Sequence, residues 1–161
     1  MSPFNLSYEI SVQPGEQRAS AASVAACSSA PARILLLDDD PVLVRLMALL
    51  LKRVGYEVDT AGDGEQGWAA LQRGQYDLLM TDNDMPRLKG LDLVRRIRTA
   101  GMSLPIIVVS ASAEVRVLVN DGSPLVAAVV PKPFDPEDLL AQVGRAVPLA
   151  HNTSAPGAFA A

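Results

Sequence analysis

The stretch YDLLMTDNDMPRLKGLDL (76–93) decides how this chain is read. Leu78 to Met80 form a continuous apolar run of strand length, which suits a strand of a parallel sheet covered on both faces. Asp82-Asn83-Asp84 follow at once, then Met85-Pro86, and after them Leu91, Val94 and Ile97 recur at helical spacing. A buried strand, an acidic turn and an amphipathic helix make one unit, and the unit repeats on either side. Ile34 to Leu37 and Ile106 to Val109 are further apolar runs, while Tyr56 to Thr60 and Val126 to Val130 are weaker, as edge strands often are.

The helices between them carry their own punctuation. Asp40-Pro41 reads as an N-cap followed by proline at the first helical position. Leu43, Leu46, Met47 and Leu50 then keep an i, i+3, i+4, i+7 face, and Gly55 closes the helix. Asp63 to Arg73 form a second helix with Trp68 and Leu71 on one side. Asp135-Pro136-Glu137-Asp138 start the last, with Leu139, Val143 and Val147 inward and acids placed to suit the helix dipole. Five strands and about five helices in alternation imply an α/β domain, a doubly wound parallel sheet with helices on both faces and right-handed crossovers. Ligands of such sheets sit beyond the carboxyl ends of the strands, near the switch in strand order.

This pattern covers residues 33–147. Residues 1–32 are rich in Ser, Ala, Gln and Pro, with no helical or strand period that lasts, and read as a disordered leader. VAAC (24–27) resembles a lipoprotein cleavage site, but no basic start precedes it, and Glu9, Glu16 and Arg18 interrupt any apolar core, so Cys27 reads as inert. Residues 148–161 are small and polar and read as a flexible tail. A net charge of −4 lends no support to nucleic-acid binding. One Cys forbids an internal disulfide, and one His (His151) rules out most zinc sites and His-based triads. No apolar run approaches the roughly 18 residues a membrane span needs.

The chemistry-bearing residues all lie just after strands. Asp38-Asp39-Asp40 follow the first, Asp82-Asn83-Asp84 the third, Ser110-Ala111 the fourth and Lys132-Pro133-Phe134 the fifth. Several carboxylates at one end of a sheet repel one another, and a hard divalent cation with oxygen ligands relieves that charge. Mg²⁺ typically takes one or two carboxylates plus phosphate oxygens. Lys132 can offset further charge and hold a phosphoryl oxygen, and the Ser110 hydroxyl can donate to another. Together they read as a phosphoryl-transfer site with an aspartate nucleophile. Taken singly each has a plainer reading: a solvated turn for the Asp runs, an N-cap for Asp40, a structural Ser, a surface Lys, and a turn at Gly62-Asp63-Gly64.

ILLLDDDP (34–41), YDLLMTDNDMPRLKGLDL (76–93), PIIVVSAS (105–112) and VVPKPF (129–134) together resemble the receiver domain of bacterial response regulators, the stand-alone chemotaxis-regulator kind. The resemblance implies a flavodoxin-like sheet in the order 2-1-3-4-5. It makes Asp82 the phosphoacceptor and Asp38, Asp39, Asp82 and the backbone carbonyl of Asp84 the Mg²⁺ ligands, with Asp39 preferred of the acidic pair. Ser110 and Lys132 become the phosphoryl-binding residues, and the Lys132–Pro133 bond is expected to be cis. The implied donor is a sensor histidine kinase or a histidine phosphotransfer protein, and the implied output is docking to an unknown protein target. The resemblance also implies a cytoplasmic protein that uses neither DNA nor a membrane, with a homodimer left open.

Three features depart from that pattern, one of them Asp84, a further acid beside the phosphorylation site. Val129 stands at the switch position that, with Ser110, normally carries an aromatic ring, and Asn120 to Pro124 break the fourth helix. Phosphorylation is therefore expected to act by ordering residues 111–126. Two other readings compete. A pseudo-receiver would keep the fold and have lost phosphorylation. A haloacid-dehalogenase-type phosphatase would use Asp82-Asn83-Asp84, but its motif sits on a first strand and is followed by something other than Met85-Pro86. An EF-hand fails because Pro86 occupies the loop, and a dinucleotide-binding fold because no G-x-G-x-x-G follows the first strand.

Overall fold

A computed structural model describes residues 30–112, Val115 and 125–149. The leader expected over 1–32 lies outside these residues except at its end, as do Cys27, most of the expected tail and nearly all of the fourth helix with its break at 120–124. The elements run β1 (Arg33–Leu37), α1 (Pro41–Arg53), β2 (Glu57–Ala61), α2 (Gly64–Arg73), β3 (Leu78–Thr81), α3 (Gly90–Thr99), β4 (Ile106–Ser110), β5 (Ala128–Pro131) and α4 (Pro136–Ala146). All neighbouring strands are parallel, in the order β2-β1-β3-β4-β5. The expected doubly wound five-stranded sheet is the one observed.

Period-two alternation splits the core into two layers. Ile34, Leu36, Leu78, Met80, Ile107 and Val109 point to one face, where α1 supplies Met47 and Leu51 and α4 supplies Leu139 and Val143. Leu35, Leu37, Leu79, Ile106 and Val108 point to the other, against Leu71 of α2 and Leu93, Val94 and Ile97 of α3. Between Ile34 and Leu37, Leu78 and Met80, and Ile106 and Val109 the central strands are therefore apolar at every position. Each fully buried Leu, Ile or Met among them contributes about 2–3 kcal/mol by leaving water.

Helix ends are set by local chemistry. Asp40, Asp63 and Asp135 each accept a first-turn N–H as N-cap. At the far end of α1 Gly55, at φ 105°, lets its N–H reach Lys52 O and the Tyr56 N–H reach Leu51 O, the paired bonds of a Schellman stop. The half-buried Arg98 of α3 donates to Met102 O at 2.8 Å and to Leu104 O and Leu125 O at 3.0 Å. Burial pulls its guanidinium below the usual pKa.

One expectation fails in α1. Of the face read as Leu43, Leu46, Met47 and Leu50, Leu43 and Met47 pack on the core, but Leu46 is exposed, and the packed face runs through Val44, Ala48 and Leu51. Both sets obey helical spacing, so periodicity alone could not choose between them. The small Ala48 lets the helix sit close to the sheet, and Val42 (75% exposed), Leu46 (51%) and Leu49 (58%) are left on the outside as an apolar stripe.

Candidate functional site

Register brings the acids together. Leu37 pairs with Thr81, so the next residues, Asp38 and Asp82, emerge side by side at the carboxyl edge of the two central strands. Ser110 pairs with Pro131, which sets Lys132 one step beyond β5, on the same edge. Strand order does the rest, because β1, β3, β4 and β5 are consecutive neighbours in the sheet.

Within this cluster each buried carboxylate is bound on both oxygens. Lys132 Nζ lies 2.7 Å from Asp38 Oδ2 and 3.2 Å from Asp82 Oδ1. The second oxygen of Asp38 accepts the Asp40 N–H at 2.9 Å, and that of Asp82 accepts the Asp84 N–H at 2.9 Å. Burial pulls the Lys132 ammonium down, but the hydrogen bond to Asp38 and the charges of Asp38 and Asp82 together outweigh it, and its pKa ends above the ordinary value. Asp38, Asp39 and Asp82 each offer a carboxylate oxygen, all within 4.8 Å of one another. Asp39 is exposed at the mouth, whereas Asp38 and Asp82 form the floor. An arrangement of three hard oxygen donors, open on one side, fits a small divalent cation that keeps some ligand positions for water or phosphate.

Ser110 is buried at the end of β4, and its Oγ accepts the Ser112 N–H at 3.0 Å. Val129 is half-buried in β5 and packs into the second core layer. Asp84 is exposed, and its carboxylate takes no part in the acidic group. The Lys132–Pro133 peptide is cis.

Three residues near the site were not singled out in the sequence. Asn83, buried behind Asp82, accepts the Gly90 N–H on its carbonyl and the Leu91 N–H on Oδ1. It supplies the cap that Lys89, at the N-cap position of α3, does not. The clue was available, since Lys is a poor N-cap and α3 needed an acceptor from elsewhere. Gly90 touches the carbonyl of Asp82, and an added Cβ would lie 2.1 Å from that oxygen. Asp63, read as part of a simple turn, is a fully buried N-cap whose second oxygen pairs with Arg87. The hydrogen bond from Arg87 holds its carboxyl below the usual range against the opposing effect of burial. No local pattern links positions 63 and 87, so that pair was invisible in the sequence.

Known proteins agree with this geometry. The family model for the response regulator receiver domain matches residues 34–144. The DNA-binding transcriptional regulator NtrC of Azospirillum brasilense is 38% identical over 116 residues, covering 72% of this chain and 24% of the relative. Protein RcaC of Microchaete diplosiphon is 35% identical over 111 residues, 69% of this chain and 17% of that protein. The chain thus spans half or less of the length of the curated relatives it first matches. Among solved structures, the response regulator TrrA of Thermotoga maritima in complex with Mg(2+)-BeF is 31% identical with a TM-score of 0.66, covering 72% of this chain and 99% of that one. The chemotaxis response regulator CheY4 of Vibrio cholerae is 27% identical with the same TM-score, covering 73% and 99%. In fold, in motif and over most of its described residues, this chain belongs to the response regulator receiver domain family.

Proposed function

We propose that the chain is a phosphoacceptor switch that takes a phosphoryl group onto Asp82 from a histidine-phosphorylated donor, a sensor kinase or a phosphotransfer protein. The observation that carries this reading is the Asp82 carboxylate, buried between Lys132 and the Asp84 N–H and grouped with Asp38 and Asp39. In the transfer an Asp82 oxygen bonds to phosphorus as the phosphorus–nitrogen bond of the donor breaks, and the imidazole leaves with the electron pair. Hydrolysis later releases inorganic phosphate and restores the carboxylate. Lys132 is placed to balance the negative charge that arrives, and Ser110 has a hydroxyl hydrogen to offer a phosphoryl oxygen. Asp38, Asp39, Asp82 and the Asp84 carbonyl would hold Mg²⁺, which supplies charge neutralisation for the phosphoryl oxygens.

The donor surface is argued from α1. Val42, Leu46 and Leu49 form an apolar groove with Pro41 and Arg45, on the helix that begins three residues after Asp38. Arg45 lines it, and Lys52 and Arg53 are exposed in the last turn of the same helix. Such a surface suits an amphipathic helix with an acidic rim, presented by the donor protein. Among the described residues no helix is long and apolar enough to cross a membrane.

Acetyl phosphate with Mg²⁺ tests the reading. One acid-stable phosphoryl adduct per chain should form and map to Asp82. Asp82→Asn should abolish it, Asp84→Asn should not, and chelation should block it. Undiminished labelling of Asp82→Asn overturns the assignment.

A further inference from the structure

The connection from Asp82 to Gly90 is fastened at both ends and in the middle, and the middle fastening serves no helix of its own. At the ends, the Gly90 N–H donates to Asn83 O at 3.0 Å and Gly90 lies against the Asp82 carbonyl. In the middle, the Arg87 guanidinium crosses to α2 and pairs with the buried carboxylate of Asp63. The other Asp63 oxygen stays with its cap bond to the Gln66 N–H at 2.9 Å. Leu88 completes the join by packing on Gly64, where a Cβ would fall 2.4 Å from the Leu88 carbonyl oxygen.

The backbone at this point is unfavourable for the residue it carries. Arg87 sits at φ 67°, and the Leu88 N–H donates across it to Pro86 O at 2.8 Å, a γ-turn of the rare positive-φ kind. Glycine adopts such a turn freely, and a long side chain does not. A strained arginine therefore needs a compensating contact, and its contact is the buried Asp63.

Between Asp82 and Arg87 lies Asp84, whose N–H holds Asp82 and whose carbonyl is the proposed fourth contact for Mg²⁺. We infer that Arg87 is a positioning residue: by pinning the turn to the cap of α2 it holds the Asp84 backbone over the acidic cluster, and so sets the affinity of Asp38, Asp39 and Asp82 for Mg²⁺. The inference rests on the phosphoacceptor reading for the identity of the cation. Without the pair the turn gains conformations in which the Asp84 carbonyl faces away, and apparent affinity falls in proportion to the fraction that still faces the site.

Isothermal titration of the full chain with Mg²⁺ alone reads this directly, beside thermal unfolding in chelator. Arg87→Gly and Asp63→Asn should each weaken Mg²⁺ binding about tenfold, the low end of what outer-shell changes do to metal sites. The double variant should be no weaker than either single one, because both remove the same link. Arg87→Lys should recover part of the affinity. Arg87→Gly also relieves the turn, so it should unfold at or above the temperature of Arg87→Ala while binding Mg²⁺ no better; a purely structural role would move both readouts together. Wild-type affinity in folded Arg87→Gly and Asp63→Asn overturns the inference. A wild-type chain that binds no Mg²⁺ overturns the metal reading and the inference with it.

Discussion

Gly90→Ala adds a single methyl group where there is no room for one. Its Cβ would lie 2.1 Å from the Asp82 carbonyl oxygen and 3.0 Å from both Asp82 C and Asn83 Cα, all backbone atoms of the loop that leaves β3. A carbon and an oxygen in contact need more than about 3 Å, so α3 must retreat by roughly 1 Å or the Asp82 peptide must turn. Leu93, Val94 and Ile97 are fully buried beneath that helix and lose packing when it lifts. Overpacking of this kind costs about 1–3 kcal/mol. The obstacle is backbone, which argues for the upper part of the range, and the helix preference of Ala returns less than about 1 kcal/mol. A net loss of about 2 kcal/mol corresponds to a fall of very roughly 10 °C in unfolding temperature for a domain of this size. Gly144→Ala is the matched control: it lies in the last turn of α4 with nothing within 4 Å of the new Cβ. There the same change should stabilise by about 0.5–1 kcal/mol. Differential scanning calorimetry in chelator measures both, and acetyl phosphate labelling should slow in Gly90→Ala alone. An unfolding temperature for Gly90→Ala at or above wild type refutes the packing argument.

Lys132→Ala leaves the buried carboxylates of Asp38 and Asp82 without their cation, and in chelator it should cost about 3 kcal/mol by urea unfolding; an unchanged midpoint would contradict the observed pairing. Leu46→Asp and Leu49→Asp alter exposed positions, so stability should move by less than about 0.5 kcal/mol. Transfer from a phosphorylated donor protein should fall about tenfold while acetyl phosphate labelling holds, and equal rates with the donor would dismiss the stripe as a docking face. Arg87 holds the Asp63 carboxyl below its ordinary value of 3.8, so its ionised form stabilises the fold fully above that pH and loses this effect as pH falls through the lowered native value. The stability gap between wild type and Asp63→Asn should therefore stay level from about pH 8 to about pH 5 and shrink in stronger acid. A gap that persists unchanged into that acid range would count against the pair.

The sheet was legible because parallel strands covered on both faces need unbroken apolar runs, and ILLL, LLM and IIVV have few other uses. The cluster was legible because strand ends converge: once Asp38, Asp82, Ser110 and Lys132 were each placed after a strand, the fold had to gather them. Facing was harder to read. In α1 the expected set 43/46/47/50 and the packed set 43/44/47/48/51 overlap, and periodicity alone does not put Ala48 inside and Leu46 outside. Contacts between loops left no trace in the sequence, since Arg87 and Asp63 meet through the spacing of α2 and α3 and through no local pattern. Asn83 lay within a quoted motif and was still passed over, because between two aspartates it reads as part of an acidic turn.

Arg98 gives the molecule a fixed point at the end of the sheet remote from the acids. Its guanidinium ties the chain entering β4, through Met102 and Leu104, to the chain entering β5, through Leu125. At the opposite end of β4, Ser110 Oγ holds the Ser112 N–H. β4 thus has a side-chain fastening at each end, one beside the acidic site at Ser110 and Ser112 and the other at the half-buried Arg98 of α3. Arg98 thereby opposes sliding of β5 along β4, because one guanidinium holds the chain that enters each strand.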